Sequence, residues 1–413
     1  MKIGMQTWGT RGDVEPFFAL GRGLAEAGHE VRLLVTTQAD LALPEFPGLS
    51  VERVGAVMTQ ADGDELLDQV IAQSSPLAQA KLVLKKGLLP SAHEMYDAAL
   101  ELAADSDLIV RHHFLYMAQA AAMKLGKPEV SVFLTPDLLP TKVHPPTGMP
   151  SLGPLQSAAW WLADKGISSV FGPSAAALRE RAELPKPTGV LRDIWPSATA
   201  NLVAVSPAMF QRPADWPSNH HLTGFWHAPS STSATMSEDL EAFFQAGSPP
   251  VYASFGSIGA GSGPRRASDA ALFIEAARIA GVRLVLQQPP GETTAADDVL
   301  HVSSSPHALV FPRCAAVIHH GGAGTTQMAV RAKVPSVVVP HLADQFFWAA
   351  QVEWLGVGVS APARSKITAK SLAAAITRAL DNAALGAAAA RLSSEMANED
   401  GIGAAVAVCG SLV

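Results

Sequence analysis

Short apolar runs recur between helix-like stretches, twice over, and this leaves the chain few folds to choose from. MKIGMQT, VRLLVT, SDLIVRH and EVSVFLT punctuate the first half. VYASFGS, VRLVLQQ, LHVSS, AAVIHH, PSVVVP and VGVS punctuate the second. The segments between them have the length and composition of helices. The first, over 16–27, stops at Gly28, which suits a left-handed cap. Such alternation builds a parallel sheet with helices on both faces. Two series predict two doubly wound α/β domains, and 413 residues, 48% of them hydrophobic, suffice for two full cores.

The Ser-, Thr- and Ala-rich run over 227–240 reads as the joint. The expected division is therefore an N-terminal domain over 1–226, a linker over 227–240 and a C-terminal domain over 241–413. The Ala-rich end from Thr368 reads as helices, the last of them free to return to the first domain. Two stretches, 60–95 and 136–196, break the alternation. The second is rich in Pro and aromatics and reads either as a pocket wall or as a packing excursion off the sheet.

Composition removes several classes of function. A net charge of −7 lacks the basic footprint of a nucleic-acid partner and does not suit acidic lipid. No run of 18 apolar residues is present, so no membrane span is expected. The opening strand, soon broken by polar residues and glycine, does not read as a signal peptide. Two cysteines make no disulfide framework. A cytoplasmic protein is expected.

The sharpest motif is HHGGAGTT. A strand ends at His319, glycines follow at 321, 322 and 324, and a helix begins. Glycines let amides approach an anion, and a helix start adds unpaired N–H groups and partial positive charge. Thr325, Thr326 and His319 can each add a donor. One βα unit later the strand PSVVVP runs into His341-Leu342-Ala343-Asp344-Gln345. An acid beside an amide suits several sugar hydroxyls, the acid accepting and the amide doing both.

These residues carry a resemblance. HHGGAGTT, KVP and DQFFWAAQV, with GTRGDVEPFFALGRGL, GHEV and ASFGS, resemble the GT-B-fold nucleotide-sugar-dependent glycosyltransferases, most of all those acting on sterols and antibiotic aglycones. The resemblance covers essentially the whole chain. It implies two Rossmann-like domains facing across a cleft. It implies that His319 and the amides of Gly322, Ala323, Gly324 and Thr325 hold the donor diphosphate, with Ser257 touching phosphate. Asp344 and Gln345 would hold the sugar, and the base would lie against Leu309, Val310 and Phe311. SPHALVF and QQPPGE depart from the sterol-type pattern, which has a Trp near 309 and a Gly-Trp after the preceding strand.

The opening turn, Gly9-Thr10-Arg11-Gly12-Asp13, then acquires a meaning. An acceptor hydroxyl must lose a proton as it attacks the anomeric carbon, and a carboxylate can take it. The resemblance assigns that role to Asp13, with inversion following from in-line attack. From residue chemistry alone, Asp13 reads equally well as a helix N-cap. Arg11 either orients the acid or covers surface. His112, Phe114, Trp160 and Trp161 are candidates for the acceptor site, beside Tyr116, Met117 and Phe171. Each of these also reads as core, and His112-His113 as structural or as a proton relay.

A helix start meets the leaving diphosphate's charge without metal, so no cofactor is expected beyond the nucleotide-sugar co-substrate, UDP-glucose being favoured. Asp62-Gly63-Asp64 has an Asp-x-Asp spacing but lacks the surroundings of a metal site. The expected reaction is sugar transfer to a hydroxyl of an apolar small molecule such as a sterol, polyketide or phenolic. The alternative within the class is a dTDP-deoxysugar transferase. Outside it stand an NAD(P)-dependent oxidoreductase, supported by GTRGD and the GSIGAG run, and a non-catalytic nucleotide-sugar binder. Thr36 and Thr37, where a ribose-binding acid would stand, weigh against the oxidoreductase. Trp348 is expected near the sugar or in the core, and Cys314 as an inert buried thiol.

Overall fold

The computed structural model describes residues 1–37, 41–56, 58–73, 75–227, 235–256, 264–288 and 298–412, apart from the side chains at 60 and 264. It separates into two units, Met1–Ala228 with Glu399–Val413, and Pro229–Asn398.

The first unit contains β1 (Lys2–Trp8), α1 (Arg11–Glu26), β2 (Glu30–Thr36), β3 (Leu49–Arg53), α2 (Gln60–Ile71), α3 (Pro76–Leu82), α4 (Ala92–Ala104), β4 (Leu108–His112), α5 (Tyr116–Lys124), β5 (Glu129–Phe133), α6 (Gln156–Arg181), β6 (Ala200–Val203) and β7 (His220–Leu222). Among the described residues its sheet runs β3-β2-β1-β4-β5-β6-β7, with parallel neighbours throughout. The order turns back between β1 and β4, which is where ligands of open parallel sheets collect, outside the carboxyl ends of the strands. Val31, Leu33 and Val35 of β2 and Leu108 and Val110 of β4 alternate into one core with Val14, Phe17, Leu20 and Leu24 of α1.

Three local expectations change. Helix α1 begins at Arg11, not at residue 16, and carries Pro16 inside it. The stretch over 60–95 is largely helical, with a π turn at Val83–Leu88. Most of the supposedly irregular 136–196 is α6, a helix of 26 residues with Pro173 inside. Gly166 is one reason this helix escapes notice in sequence. It lies against Leu77, where an added Cβ would make only ordinary contact at 3.4 Å, so the glycine is tolerated there rather than required.

The second unit contains α7 (Glu238–Gln245), β8 (Val251–Ser254), α8 (Pro264–Ala280), β9 (Leu284–Gln287), β10 (Val299–Val302), α9 (His307–Val310), β11 (Ala316–His319), α10 (Ala323–Arg331), β12 (Ser336–Val338), α11 (Gln345–Trp354), β13 (Gly358–Ser360), α12 (Ala369–Asp381) and α13 (Ala383–Met396). Its described strands form a parallel sheet ordered β10-β9-β8-β11-β12-β13. Here the order turns back between β8 and β11. Helix α7, capped by the Ser237 hydroxyl, occupies the last residues of the expected linker; most of the rest of that linker lies outside the described residues.

The final helix, α14 (Gly401–Gly410), packs with the first unit. Ala405 and Cys409 are fully buried in that unit's core, with Ile402 and Val406 packed beside them. Gly23 of α1 admits this approach, since a Cβ there would stand 2.3 Å from Ile402. Glu399, just before the helix, accepts from the Ser206 hydroxyl at 2.7 Å.

Candidate active site

The turn after β1 is filled by its own carboxylate. Thr10 is the N-cap of α1, and Asp13 is the third helical residue. Both the backbone N–H and the hydroxyl of Thr10 donate to Asp13 Oδ2, at 2.8 and 3.0 Å. This is a capping box with Asp in the position more often held by Glu. Asp13 is thus not the N-cap itself. Gly9, at φ +127°, lies directly under the carboxylate, with an added Cβ only 2.4 Å from Oδ2. Only glycine fits there. The amide that a phosphate-binding loop would offer, that of Thr10, is already spent on Asp13. Thr36 and Thr37 are likewise engaged locally, their hydroxyls donating to the carbonyls of Val54 and Gly9. The turn has none of the makings of a dinucleotide site.

The other carboxylate oxygen, Oδ1, accepts no hydrogen bond among the described residues. It lies 3.7 Å from Nε2 of His112, and the Asp13 side chain is 33% exposed. Burial raises the carboxyl above its ordinary value, against the two Thr10 bonds. Arg11 pairs with Glu15 one turn along the helix rather than with Asp13.

His112 ends β4, beside β1 in the sheet, and is buried. Around it sits an aromatic group: Phe114 meets Trp8 and Trp195 edge-on, at 6.3 and 5.1 Å between centroids, and stacks on Phe171 at 5.7 Å. Gly87, in the π turn, lies against the Trp8 ring. Trp8 and Trp195 escape the sequence reading, although Trp8 directly precedes the GTRGD turn. The other aromatic candidates fall elsewhere. Trp160 is buried, with its indole N–H donating to the His144 carbonyl. Trp161 points outward, 52% exposed, and Tyr116 and Met117 are core.

The second unit's turn after β11 is built the opposite way. Gly322 is the N-cap of α10 with no side-chain partner. The amides of Ala323, Gly324 and Thr325 therefore open the helix with no intrahelical carbonyl to reach. His319, the imidazole expected at the diphosphate, is fully buried, and its Nδ1 accepts from the Gly321 N–H at 3.1 Å. His320 is the ring that the loop presents. It is half-buried, with Nδ1 unpartnered. It is bracketed by Gly256 and Gly322, where an added Cβ would stand 2.7 and 2.6 Å from the ring. Alternation along the strand separates the two histidines, and that periodicity was the available signal. Burial lowers both, His319 to about 3 and His320 to about 4, so both are neutral near pH 7. Thr326 is fully buried, with its hydroxyl donating to the Gly322 carbonyl, so it is a strut and not an anion donor.

The Asp-Gln turn lies against this one: an added Cβ at Gly321 would be 3.0 Å from the Gln345 carbonyl. Asp344 is the N-cap residue of α11, and Ala343 before it has φ +50°, a costly conformation for a non-glycine residue. Gln345 Oε1 accepts from the amides of His341 and Leu342, at 2.8 and 3.1 Å. Its amide can therefore only donate outward. Trp348 is fully buried. In the segment expected to hold the base, Val310 and Phe311 are fully buried, and the Val310 carbonyl takes the Cys314 thiol. Leu309 alone of the three is exposed, at 37%. Ser257 and the rest of the GSIGAG run after Gly256 lie outside the described residues.

Asp62 is a second capping-box acid, its Oδ2 taking the Thr59 hydroxyl at 2.6 Å. Among the described residues no three His, Cys, Asp or Glu side chains gather as a metal site, and no helix is long and apolar enough to cross a membrane.

Two doubly wound units, one with an acid-filled turn and one with an open glycine turn, define a GT-B architecture. Residues 3–92 match the glycosyltransferase family 28 N-terminal domain, and 279–407 match the erythromycin biosynthesis protein CIII-like C-terminal domain. The chain is 33% identical to O-mycaminosyltylonolide 6-deoxyallosyltransferase of Streptomyces fradiae, over 97% of its own length and 95% of that protein. It is 28% identical to sterol 3-beta-glucosyltransferase UGT80B1 of Arabidopsis thaliana, over 98% of its length and 67% of that protein. Its fold is that of the glycotransferase of kitacinnamycin, with TM-score 0.71 at 18% identity, covering 100% of this chain and 99% of that one. The chain belongs to the GT-B glycosyltransferases of the family 28 and erythromycin CIII-like group.

Proposed function

We propose that this enzyme moves a hexosyl group from a nucleoside-diphosphate sugar to a hydroxyl of an apolar small molecule, with inversion. The observation that carries this is the contrast between two strand-to-helix turns, each beside the point where its own sheet's order turns back. The turn after β1 is closed by Asp13 with one oxygen left unused; the turn after β11 keeps its helix amides open. A carboxylate with a free oxygen suits proton removal, and an open helix start suits a diphosphate. In this reading the acceptor O–H gives its proton to Asp13 Oδ1. The acceptor oxygen bonds to the anomeric carbon as the bond to the diphosphate breaks. The departing charge falls on the amides of Ala323 to Thr325 and on an N–H of His320. Asp344 accepts from sugar hydroxyls, Gln345 donates to them, and Leu309 offers the base an apolar surface. The aromatic group of Trp8, Phe114, Phe171 and Trp195 flanks an apolar acceptor.

Glucose from UDP is the first reading for the donor. A 6-deoxyhexose from dTDP is the second. It is favoured by the reaction named for the Streptomyces fradiae relative. A thermal-shift panel of UDP-glucose, dTDP-glucose and NAD, followed by NMR of the product's anomeric configuration, tests both. Stabilisation by NAD alone, or a product that retains configuration, would sink the proposal. The amides and helix start also remove the need for metal, so turnover should persist in EDTA. A strict requirement for added divalent ion would revive Asp62 and Asp64.

His320→Ala should raise the donor KM by roughly 10–100-fold, as expected for loss of one hydrogen bond to a charged group. His319→Gln should change it less and act mainly on stability, because that ring is internal. The reverse ranking in steady-state kinetics would return the diphosphate to His319.

A further inference from the structure

The contact between His112 and Asp13 has a polarity that the tautomer fixes. The Phe114 N–H donates to His112 Nδ1 at 3.4 Å, so the ring's proton resides on Nε2. Nε2 is the nitrogen that faces Asp13 Oδ1, at 3.7 Å. The ionisable groups facing this ring are Asp13 from α1, Arg111 on its own strand, and the neighbouring His113. Glu129 of β5 pairs with Arg111 at 2.6 Å. Arg111 also donates to the carbonyls of His113 at 3.1 Å and Trp195 at 3.1 Å, which braces the chain on either side of the aromatic group. Burial, and then the Arg111 charge, lower His112 to about 3, so it meets the carboxylate as a neutral ring.

We propose that His112 is a positioning residue for Asp13: its Nε2–H is aimed at Oδ1 and holds that oxygen towards the acceptor hydroxyl without neutralising the carboxylate. The two oxygens then have separate tasks. Thr10 fixes Oδ2 to the helix start. His112 steers Oδ1, whose remaining lone pair takes the proton. A charged histidine would form an ion pair and make the carboxylate a weaker base; a neutral donor orients it at smaller cost in basicity. The 3.7 Å separation closes to hydrogen-bond length when acceptor and donor sugar are in place, as catalytic contacts commonly do.

This inference rests on Asp13 being the base, and its test separates the two. His112→Leu removes the donor N–H. His112→Gln keeps an N–H at a similar reach but cannot titrate. The Asp13 carboxyl is titrated by 13C NMR in wild type and both variants, with no turnover needed. Its pKa should rise by about one unit in His112→Leu and return towards wild type in His112→Gln. In steady-state assays kcat should fall roughly 10–100-fold in His112→Leu, with KM for both substrates nearly unchanged and the acid limb moved upward. His112→Gln should recover most of the rate. An Asp13 pKa that does not move overturns the contact. A moved pKa with wild-type turnover overturns the positioning role. A His112→Gln variant as inactive as His112→Leu overturns it too, since it makes the imidazole itself the proton carrier. Should His112→Leu fail to fold, the Gln variant decides: wild-type-like turnover and Asp13 titration support the proposal, and loss of either overturns it. Failure of the underlying reading shows separately, as wild-type turnover in Asp13→Asn.

Discussion

Asp13→Asn is expected to lower turnover on an alcohol acceptor by about 10²–10⁴-fold, the usual worth of general-base catalysis. The fold should survive. An amide oxygen can take the place of Oδ2 and accept from the Thr10 N–H and hydroxyl, so the start of α1 stays capped. The amide nitrogen then occupies the place of Oδ1, where it cannot take a proton and meets the His112 N–H donor to donor. Asp13→Ala loses both functions and should also lose about 1 kcal/mol of helix capping. Because the proposed donor site lies in the other unit, donor affinity should be unchanged in both. Phenols, which ionise more readily, should suffer less than alcohols. The pH dependence has a defined sign. Burial raises the Asp13 carboxyl, and in the proposed mechanism the carboxylate is the active form, so wild-type kcat/KM should fall as pH drops through that raised value. The residual rate of Asp13→Asn should not follow that limb. Melting temperature, donor binding and a pH–rate profile on both variants are the measurements. Near-wild-type turnover in Asn with lost stability in Ala would leave Asp13 a capping residue only.

A chain ended at Asn398 should lose the first unit and keep the second. The missing helix α14 places Ala405 and Cys409 fully inside the first unit's core, and Ile402 and Val406 cover α1 where Gly23 leaves space. Fully burying a large aliphatic side chain contributes roughly 1.5–3 kcal/mol; Ala405 and Cys409 are smaller, and Ile402, Val406, Val408 and Leu412 are partly buried, so each contributes less. Losing all six together still removes a sizeable part of the 5–15 kcal/mol by which whole domains are stable. Calorimetry should show one of two transitions gone. Limited proteolysis should leave a resistant core within 229–398. A truncated chain that still melts in two transitions would remove α14 from the first unit's stability.

Much of this was legible because parallel βα order is written in local periodicity. The apolar runs sit on the observed strands, and HHGGAGTT does lie between a strand and a helix. The misses have physical causes. Pro16 looks like a first helical residue, the position proline favours. The stronger device, the Thr10–Asp13 box, starts the helix five residues earlier and outweighs the bond that Pro16 forfeits. His319 and His320 are equivalent as letters; only the pleat decides that one is internal and the other presented. In the short helix over His307–Val310 and the turn after it, Val310 and Phe311 face inward and Leu309 keeps the exposed side chain, which letters alone do not show. Trp8 and Trp195 are far apart in sequence, and no local pattern foretells their meeting around Phe114.

The return of the last fifteen residues has a consequence for how the molecule is made. A ribosome delivers Met1–Ala228 first, and domains ordinarily fold in that order. Here the earlier-made unit lacks a piece that is made only after the other unit, Glu399–Val413, while the later-made unit is one unbroken stretch, Pro229–Asn398. The second unit can therefore reach its final packing before the first. During that interval the groove over Gly23 and the apolar residues around it stand open to water or to a chaperone. Arrival of residues 399–413 becomes the event that seals the unit bearing Asp13.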